Sequence, residues 1–253
     1  MIPSVNILGT LVSAVNPRLA IAAICHWIET STKAYVCVRD VHGIIRSLHD
    51  PKFKKIQNQA GLCIPDGMPT VLVGRYYGHT TMSQIRGADL MNQLSEVSVN
   101  KSFRHFYYGG KPGVADLLKH RMQQRFPGLQ VVGTYSPPFR PLSAQQKADF
   151  ITRIEELAPD IIWVGLSTPK QEYWMAEYLE LLNAKLLIGV GAAFDFHAGL
   201  VKEAPKWMQQ SGFEWLFRLY SEPRRLWKRY FVVIPLFLFH LLCQLSGLRK
   251  YSP

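Results

Sequence analysis

The sequence predicts an α/β protein with a doubly wound, mostly parallel Rossmann-like sheet and a C-terminal helical appendage. Short apolar runs alternate with stretches of helical periodicity along most of the 253 residues, which is the pattern of repeated β–α–β units. Loops rich in Gly and Pro follow the apolar runs, as expected where strands end beside a ligand. This rhythm stops near residue 203, where an aromatic, basic and apolar segment begins.

The predicted elements alternate in order along the chain. Strands are predicted at residues 34–38, 61–64, 103–108, 129–135, 161–166 and 185–190. Helices are predicted at 42–59, from 87 to at least 94, and at 114–125, 143–157 and 169–182. Ser143 and Gln146 have the capping-box spacing that marks a helix start. This β–α alternation predicts strands that run mostly parallel.

The loops after the predicted strands, at 109–113, 136–139, 167–171 and 189–195, are the candidate binding site. Several helices begin just after small residues in these loops, so backbone N–H groups can approach an anion such as a nucleotide pyrophosphate. One loop alone is a weak signal, because Gly189 and Gly191 lack the third glycine of G-x-G-x-x-G. Four such loops on one edge of the sheet are a stronger indication of a nucleotide-binding site.

The charge of the chain indicates an anionic partner. Its 29 Lys and Arg and 18 Asp and Glu give a formal net charge of +11, which favours a phosphorylated substrate, an acidic membrane surface or nucleic acid. Residues 201–253 hold nine of the basic residues and three of the acidic ones, so +6 of this charge lies there. The basic feature therefore belongs to the C-terminal segment.

The C-terminal segment also has the composition of a membrane-surface anchor. A basic, aromatic stretch after Pro223 runs into a 13-residue apolar run, 231–243. The run is shorter than the about 20 residues that span a bilayer, and basic and aromatic flanks are typical of a monotopic segment. The alternatives are a buried terminal helix or an oligomer contact. We therefore divide the sequence into a catalytic domain, 1–203, and an appendage, 204–253.

The cysteines and the N-terminus predict a cytosolic setting. The four cysteines are scattered, without a C-x-x-C pair or a Cys/His spacing that would hold zinc. The first residues lack the charged start and continuous apolar run of a signal peptide. We therefore expect a reduced protein that is not exported.

Asp66 is the first candidate catalytic residue. It lies between Pro65 and Gly67 on a turn, where the proline and the glycine restrict the backbone and aim the carboxylate. A carboxylate held in this way can act as the base of a transferase. The alternative is a β-turn in which the aspartate serves only as turn former.

Eight motifs in the same order make the sequence similar to the WecG/TagA/CpsF family of glycosyltransferases, also called glycosyltransferase family 26. The resemblance covers about residues 35–230. The motifs are V-H-G (41–43), P-D-G-M-P (65–69), R-G-A-D-L (86–90), G-G-K-P-G (109–113), P-P-F (137–139), P-K-Q-E (169–172), G-V-G-A-A-F-D (189–195) and G-F-E-W-L-F-R (212–218).

The resemblance implies a peripheral enzyme at the cytoplasmic face of the inner membrane. It implies inverting transfer of a sugar from a UDP-sugar to a polyprenyl-diphosphate-linked sugar, in bacterial surface polysaccharide synthesis. It implies no cofactor and no metal, and the sequence has no Asp-x-Asp triplet. Asp66 becomes the base that deprotonates the acceptor hydroxyl. With the loops above, the substrate-binding candidates are Gly109, Gly110, Pro138, Gln171, Gly191, Asp195, Arg218, Arg225 and Lys228.

Several of these residues have an alternative role. Gln171 and Asp195 lie where a helix begins, so either could serve as a helix cap instead of contacting the nucleotide and its ribose. Arg218, Arg225 and Lys228 share a helical face only if Pro223 begins a new helix in line with the previous one. Otherwise they form a solvated or lipid-facing basic surface.

One segment departs from the family pattern. Many members have a Thr, implicated in catalysis or substrate contact, where this chain has Arg39. We therefore add Arg39 and His42 as candidate catalytic residues, with a changed donor or acceptor preference as a hypothesis. A single His at a helix start is more often structural.

Two other function classes compete with glycosyl transfer. Ser167 and Lys170 satisfy S-x-x-K, a motif of serine acyl-transfer hydrolases, but the S-D-N and K-T-G motifs that accompany it are absent and Pro169 disfavours the required helix. A non-catalytic membrane or nucleic-acid-binding module fits the charge, yet no nucleic-acid-binding signature is present. We expect no nucleic-acid partner, while the transferred sugar and a homo-oligomer are left open.

Overall fold

A computed structural model describes residues 2–205, 207–208 and 214–253. The strands are β1 (Ser4–Ile7), β2 (Thr10–Ser13), β3 (Ala34–Arg39), β4 (Leu62–Pro65), β5 (Arg104–Gly109), β6 (Gln130–Tyr135), β7 (Ile161–Gly165) and β8 (Leu186–Gly189). The helices that precede the C-terminal segment are α1 (Pro17–Glu29), α2 (Val41–His49), α3 (Pro51–Asn58), α4 (Met68–Tyr76), α5 (Gly87–Lys101), α6 (Val114–Arg125), α7 (Ala144–Leu157), α8 (Lys170–Tyr178) and α9 (Ala193–His197). The C-terminal segment forms α10 (Glu214–Ser221), α11 (Pro223–Lys228), a π-helical turn (Arg229–Val233) and α12 (Ile234–Leu245).

Six strands form one sheet in the order β4-β3-β8-β7-β5-β6. All of its pairings are parallel, so the predicted α/β class is confirmed. β8, the last strand in the chain, lies between β3 and β7. The carboxyl ends of all six strands therefore meet at one edge, together with the loops that follow them. β1 and β2 form a separate antiparallel hairpin.

Helices cover both faces of the sheet. α1, α5, α6 and α9 pack on one face, and α2, α3, α7 and α8 pack on the other. Side chains alternate along each strand: in β7, Ile161 and Trp163 face the first layer, while Ile162 and Val164 face the second. Because both faces are buried, this strand reads as a continuous apolar run in the sequence.

The predicted helix 42–59 is two helices in the structure. Asp50 precedes Pro51 and leaves the helical conformation, as the residue before a proline tends to do. Its carboxylate then accepts a hydrogen bond from the N–H of Phe53 at 3.0 Å and caps α3. The β1–β2 hairpin, α1 and α4 were not predicted. The two hairpin strands have four residues each, which is too short for a clear period.

The C-terminal segment is helical, as predicted. The N–H of Glu222 donates to the carbonyl of Arg218 at 2.9 Å at the end of α10, and the N–H of Leu226 donates to the carbonyl of Glu222 at 3.1 Å at the start of α11. The π-helical turn comes immediately before the first turn of α12, which contains Pro235. A wider turn accommodates the missing N–H and the ring of a proline inside a helix.

In the part of the chain that the structure describes, one helix, Leu226–Leu245, is long and apolar enough to cross a membrane by length and composition. One side of this helix packs on the protein. Phe237 is 1% exposed, Gln244 donates to the carbonyl of Asn6 at 2.8 Å, and the N–H of Leu8 donates to Gln244 at 2.7 Å. The apolar run thus covers the hairpin side of the domain with one face and leaves the other open.

Candidate active site

A cleft lies at the carboxyl edge of the sheet, between the loops that follow the strands and the C-terminal helices. Its volume is about 570 Å³, within the range of about 300–1,000 Å³ that is usual for small-molecule sites. Most of the predicted site residues line it, although they are distant in the sequence. They are His42, Asp66, Gly110, Gln171, Gly191, Asp195, Arg218 and Lys228.

Asp66 follows β4 on a backbone that is fixed by neighbouring segments. Its N–H donates to the carbonyl of Arg39 at 2.9 Å, and its own carbonyl accepts a hydrogen bond from the side-chain amide of Gln84. Gly67 then leads into α4 without a side-chain cap. The partly buried carboxylate lines the cleft. It is therefore held in place by the ends of two strands and not only by a local turn.

A second, smaller cavity adjoins the cleft at Asp66. Its volume is about 160 Å³. Asp66 and His42 line both cavities. The wall of the smaller one is mostly apolar and includes Met68, Pro69, Trp215, Tyr230, Val233 and Ile234, while Asp40, Gln84, Glu214 and Arg218 also line it. Asp66 thus lies where the larger cleft meets the smaller cavity, which we call the apolar pocket.

Arg39 lies outside the cleft wall, where it forms a fully buried ion pair with Glu172 of α8. The Nη2–Oε1 distance is 2.5 Å and both side chains are 0% exposed. Thr168 donates to the same Glu172 oxygen at 3.0 Å, and the guanidinium lies over the ring of Phe53. Burial alone would lower the pKa of Arg39, but the charges of Glu172, Cys37 and Cys63 and the hydrogen bond to Glu172 together raise it. The ion pair ties the end of β3 to α8.

Gln171 lines the cleft and has a buried acceptor without a partner among the described residues. It is 3% exposed and lies over Gly189, where an added Cβ would come within 2.9 Å of its Nε2. Its amide nitrogen faces Glu172 at 3.3 Å, and because a carboxylate only accepts, this contact sets the amide orientation. Among the described residues its Oε1 has no hydrogen-bond partner. A ligand N–H or O–H could satisfy this buried oxygen.

The loop after β8 contributes Gly191 and Asp195. Gly191 has φ +53°, in the left-handed region that favours glycine. The N-cap of α9 is Ala192, which offers no side-chain acceptor. Asp195 is the third residue of that helix and lines the cleft. Its carboxylate is therefore a wall group and not the helix cap.

The C-terminal helices add positive charge to the cleft. Arg218 of α10 and Lys228 of α11 both line it, and Pro223 begins a new helix. The Arg218 guanidinium lies 5.6 Å from the ring centre of Phe196. The side chain of Arg225 and residues 212–213 of the last motif fall outside what the structure describes.

Arg86 was not assigned a role from the sequence, although it begins the R-G-A-D-L motif. It lines the cleft and pairs with Asp89 at 3.5 Å, Glu203 at 3.1 Å and Glu214 at 3.0 Å. Burial would lower its pKa, but the neighbouring carboxylates, Glu214 first, raise it. Because Glu203 and Glu214 lie on either side of segment 204–213, Arg86 fastens the C-terminal helices to α5.

Some predicted residues lie away from the cleft wall. Gly109 has φ +127°, and an added Cβ would come within 2.6 Å of the carbonyl oxygen of Gly165, so it allows close packing of β5 and β7. Pro138 is exposed and does not line the cleft. Ser167 lines the cleft, but Lys170 is exposed and outside its wall. Within the described ranges, no group of three or more His, Cys, Asp or Glu side chains could hold a metal ion.

A cleft of this size, at the carboxyl edge of a doubly wound parallel sheet, places the protein among the α/β proteins that bind a small-molecule ligand at that edge. The chain belongs to the glycosyl transferase WecG/TagA/CpsF family, whose sequence profile matches residues 5–251. The predicted resemblance is confirmed and extends over nearly the whole chain. The protein is therefore a glycosyltransferase, which displaces the acyl-transfer alternative.

Two curated relatives have similar sequences. A Bacillus spizizenii protein is 27% identical over 203 residues, which cover 80% of this chain and 77% of the relative. A Bacillus subtilis protein is 29% identical over 222 residues, which cover 88% of this chain and 75% of the relative. Both are named N-acetylglucosaminyldiphosphoundecaprenol N-acetyl-beta-D-mannosaminyltransferase.

Removing one partner of the buried ion pair should strongly destabilise the protein. We expect Glu172→Gln to lower the free energy of unfolding by about 3–5 kcal/mol, because it leaves Arg39 charged and unpaired in the interior. Replacing both residues, with Arg39→Met and Glu172→Leu, should recover most of this loss. Urea unfolding followed by circular dichroism measures the difference.

The matched control is Glu177→Gln on the same helix. Glu177 pairs with Lys147 at 2.9 Å, but both side chains are exposed, so the loss should stay below about 1 kcal/mol. A similarly small loss for Glu172→Gln would contradict the proposed importance of the buried pair.

Proposed function

We propose that this glycosyltransferase transfers a sugar, with inversion and without a metal ion, from a UDP-sugar to a sugar linked to a polyprenyl diphosphate. One observation carries the proposal: Asp66 lines both the polar cleft and the apolar pocket. A donor bound in the cleft and a lipid-linked acceptor entering through the pocket would meet at this carboxylate.

In this proposal Asp66 is the general base. The acceptor hydroxyl attacks the anomeric carbon of the donor on the side opposite the diphosphate, and its proton passes to Asp66. A new carbon–oxygen bond forms while the bond from the anomeric carbon to the phosphate oxygen breaks, and UDP leaves with the bonding electrons. A single attack of this kind inverts the anomeric carbon. His42, beside Asp66 in both cavities, is the second candidate for contact with the acceptor.

The leaving diphosphate requires positive groups. Arg218 and Lys228 line the cleft, and Arg225 is proposed with them from the sequence. Backbone N–H groups near Gly110, just before α6, would add hydrogen-bond donors. We propose that these groups take the place of a metal ion, in keeping with a sequence that lacks an Asp-x-Asp triplet. Arg39 is proposed as a positioning residue, because it lies beneath the cleft and not in its wall.

Gln171 supports uridine as the nucleoside. Uracil carries an N3–H donor, whereas cytosine has an acceptor at that position. The buried Oε1 of Gln171 can accept from the first and repels the second. Asp195 is proposed to accept from the ribose hydroxyls, and Gly191 to let the nucleotide approach the backbone.

The names of the relatives support a particular reaction. Both describe transfer of an N-acetyl-beta-D-mannosaminyl group to N-acetylglucosaminyl-diphosphoundecaprenol. We propose the same acceptor class and N-acetylmannosamine as the first sugar to test. A β product formed from an α-linked nucleotide sugar requires inversion, which agrees with one base and one displacement.

We further propose that residues 1–203 bind the donor and carry Asp66, while residues 204–253 contact the membrane and the lipid diphosphate. The basic charge of the last segment and the open apolar face of α12 support a peripheral enzyme on the cytoplasmic face of the inner membrane. No nucleic-acid partner is proposed. Self-association stays an untested prediction.

Asp66→Asn should abolish turnover while leaving donor binding intact. We expect kcat to fall by about 10²–10⁴-fold, the usual contribution of a general base, because the amide cannot take the proton. Turnover is measured with a UDP-sugar and an acceptor that carries a short prenyl chain. Asp149→Asn, an exposed aspartate on α7, is the control and should leave kcat unchanged. Full activity of a folded Asp66→Asn variant would remove Asp66 as the base.

Nucleotide selectivity should depend on Gln171. In thermal-shift measurements we expect UDP to stabilise the protein more than CDP, GDP or NAD do, with no effect of EDTA. Gln171→Leu should reduce the difference between UDP and CDP, because the acceptor for N3–H is lost. Equal stabilisation by UDP and CDP in the wild type would contradict the assignment, and loss of the UDP effect in EDTA would contradict metal independence.

A further inference from the structure

The helix that follows Asp66 lies beside the C-terminal helix. Near their starts, Met68 and Pro69 of α4 and Ile234 of α12 line the same apolar pocket. Near their ends, Gln244 of α12 donates to the hydroxyl of Tyr77 at 3.4 Å. The two helices therefore begin at the same pocket and are linked again near their ends by Gln244 and Tyr77.

Both helices bury one face and leave an apolar face open. Val73 of α4 and Phe237 of α12 belong to the same core cluster. On the open side of α4, Leu72 is 57% and Tyr76 is 72% exposed. On the open side of α12, Leu238 is 51% and Leu242 is 66% exposed. We call these four residues, which repeat at i, i+4 on each helix, the apolar ledge.

The surroundings of the ledge complement an anionic lipid surface. The sequence from 230 to 248 holds no Asp, Glu, Lys or Arg. Basic side chains stand at both ends: Lys228 before this stretch, and Arg249 and Lys250 after it, all exposed. Pairing with a second copy of this chain would bring like charges together. A bilayer with anionic headgroups instead offers an apolar interior below a negative surface.

The packing also decides the orientation of α12. Its inner face is fastened to the core through Phe237 and to the hairpin through Gln244. Crossing the bilayer would expose the partners of both residues, whereas lying flat in the headgroup region keeps these contacts and covers the ledge. α4 borders the same apolar pocket as α12 and is linked to it through Tyr77.

We infer that the apolar ledge of α4 and α12 is the membrane-binding surface of this enzyme, so that the catalytic segment itself, and not only the C-terminal segment, enters the lipid headgroup layer. The inference rests on the proposed function, in which Asp66 is the base. α4 begins at Met68, two residues after Asp66. A ledge seated in the headgroups would hold the base at the level where the diphosphate of a lipid-linked acceptor lies.

The test changes α4 alone in the full-length protein. Leu72→Glu/Tyr76→Glu should reduce binding to vesicles of equal parts phosphatidylcholine and phosphatidylglycerol by about tenfold or more in a co-sedimentation assay. Turnover of a water-soluble short-chain acceptor should be unchanged, because neither residue lines the cleft or the apolar pocket. The control is Leu181→Glu. Leu181 is 51% exposed, similar to Leu72, but it lies before β8, at the amino ends of the strands. This variant should bind vesicles like the wild type.

Three results would overturn the inference. The first is vesicle binding of Leu72→Glu/Tyr76→Glu equal to that of the wild type, and the second is an equal loss in Leu181→Glu. The third is a wild-type protein that does not bind vesicles but forms a dimer in analytical ultracentrifugation, when Leu72→Glu/Tyr76→Glu abolishes that dimer. This result would assign the ledge to a second copy of the chain. Vesicle binding is measured without turnover. If the enzyme used no lipid-linked acceptor, the proposed function would be refuted, but the vesicle assay would still test the apolar ledge.

Discussion

The buried ion pair between Arg39 and Glu172 connects the parts of the structure on which the active site depends. Arg39 ends β3 and Glu172 lies in the first turn of α8, yet β8 separates their strands in the sheet. α8 can reach across because Gly189 of β8 has no side chain. A charge pair without solvent must keep its geometry, since either ion alone would be strongly unfavourable there. The carbonyl of Arg39 also anchors the N–H of Asp66, so the pair links the proposed base to the wall that contains Gln171.

The chemistry of the cleft follows from this scaffold and from the C-terminal helices. The sheet supplies acceptors and carboxylates, whereas the positive groups that face the cleft come mainly from α10 and α11. Arg86 holds these two parts together through Glu203 and Glu214. Under the proposed function, the site for the donor diphosphate is complete only when the C-terminal helices are docked. The same helices continue into the apolar face, which would place donor binding, the base and the lipid surface next to one another.

The strand and helix rhythm could be predicted from the sequence because it depends on local periodicity. The wall residues could be predicted partly from loops that follow strands and partly from the motifs that the chain shares with its family. The strand order could not be predicted, since the central position of β8 depends on packing between distant segments. Arg39 appeared as a departure from a family pattern, and its partner 133 residues away left no local signal. Arg86 stood in a motif, but its carboxylate partners lie beyond residue 200. α4 was missed because Pro69 lies at its start and most of its positions are apolar or small.

The anomeric configuration of the product tests the central claim most directly. The wild-type enzyme is given an α-linked UDP-N-acetylmannosamine and a short-chain prenyl-diphospho-N-acetylglucosamine in EDTA, and the one-bond carbon–hydrogen coupling at the new linkage is measured by NMR. A single displacement assisted by Asp66 predicts a β-linked disaccharide. An α-linked product, or a product that forms only when a divalent metal is restored, would contradict this account.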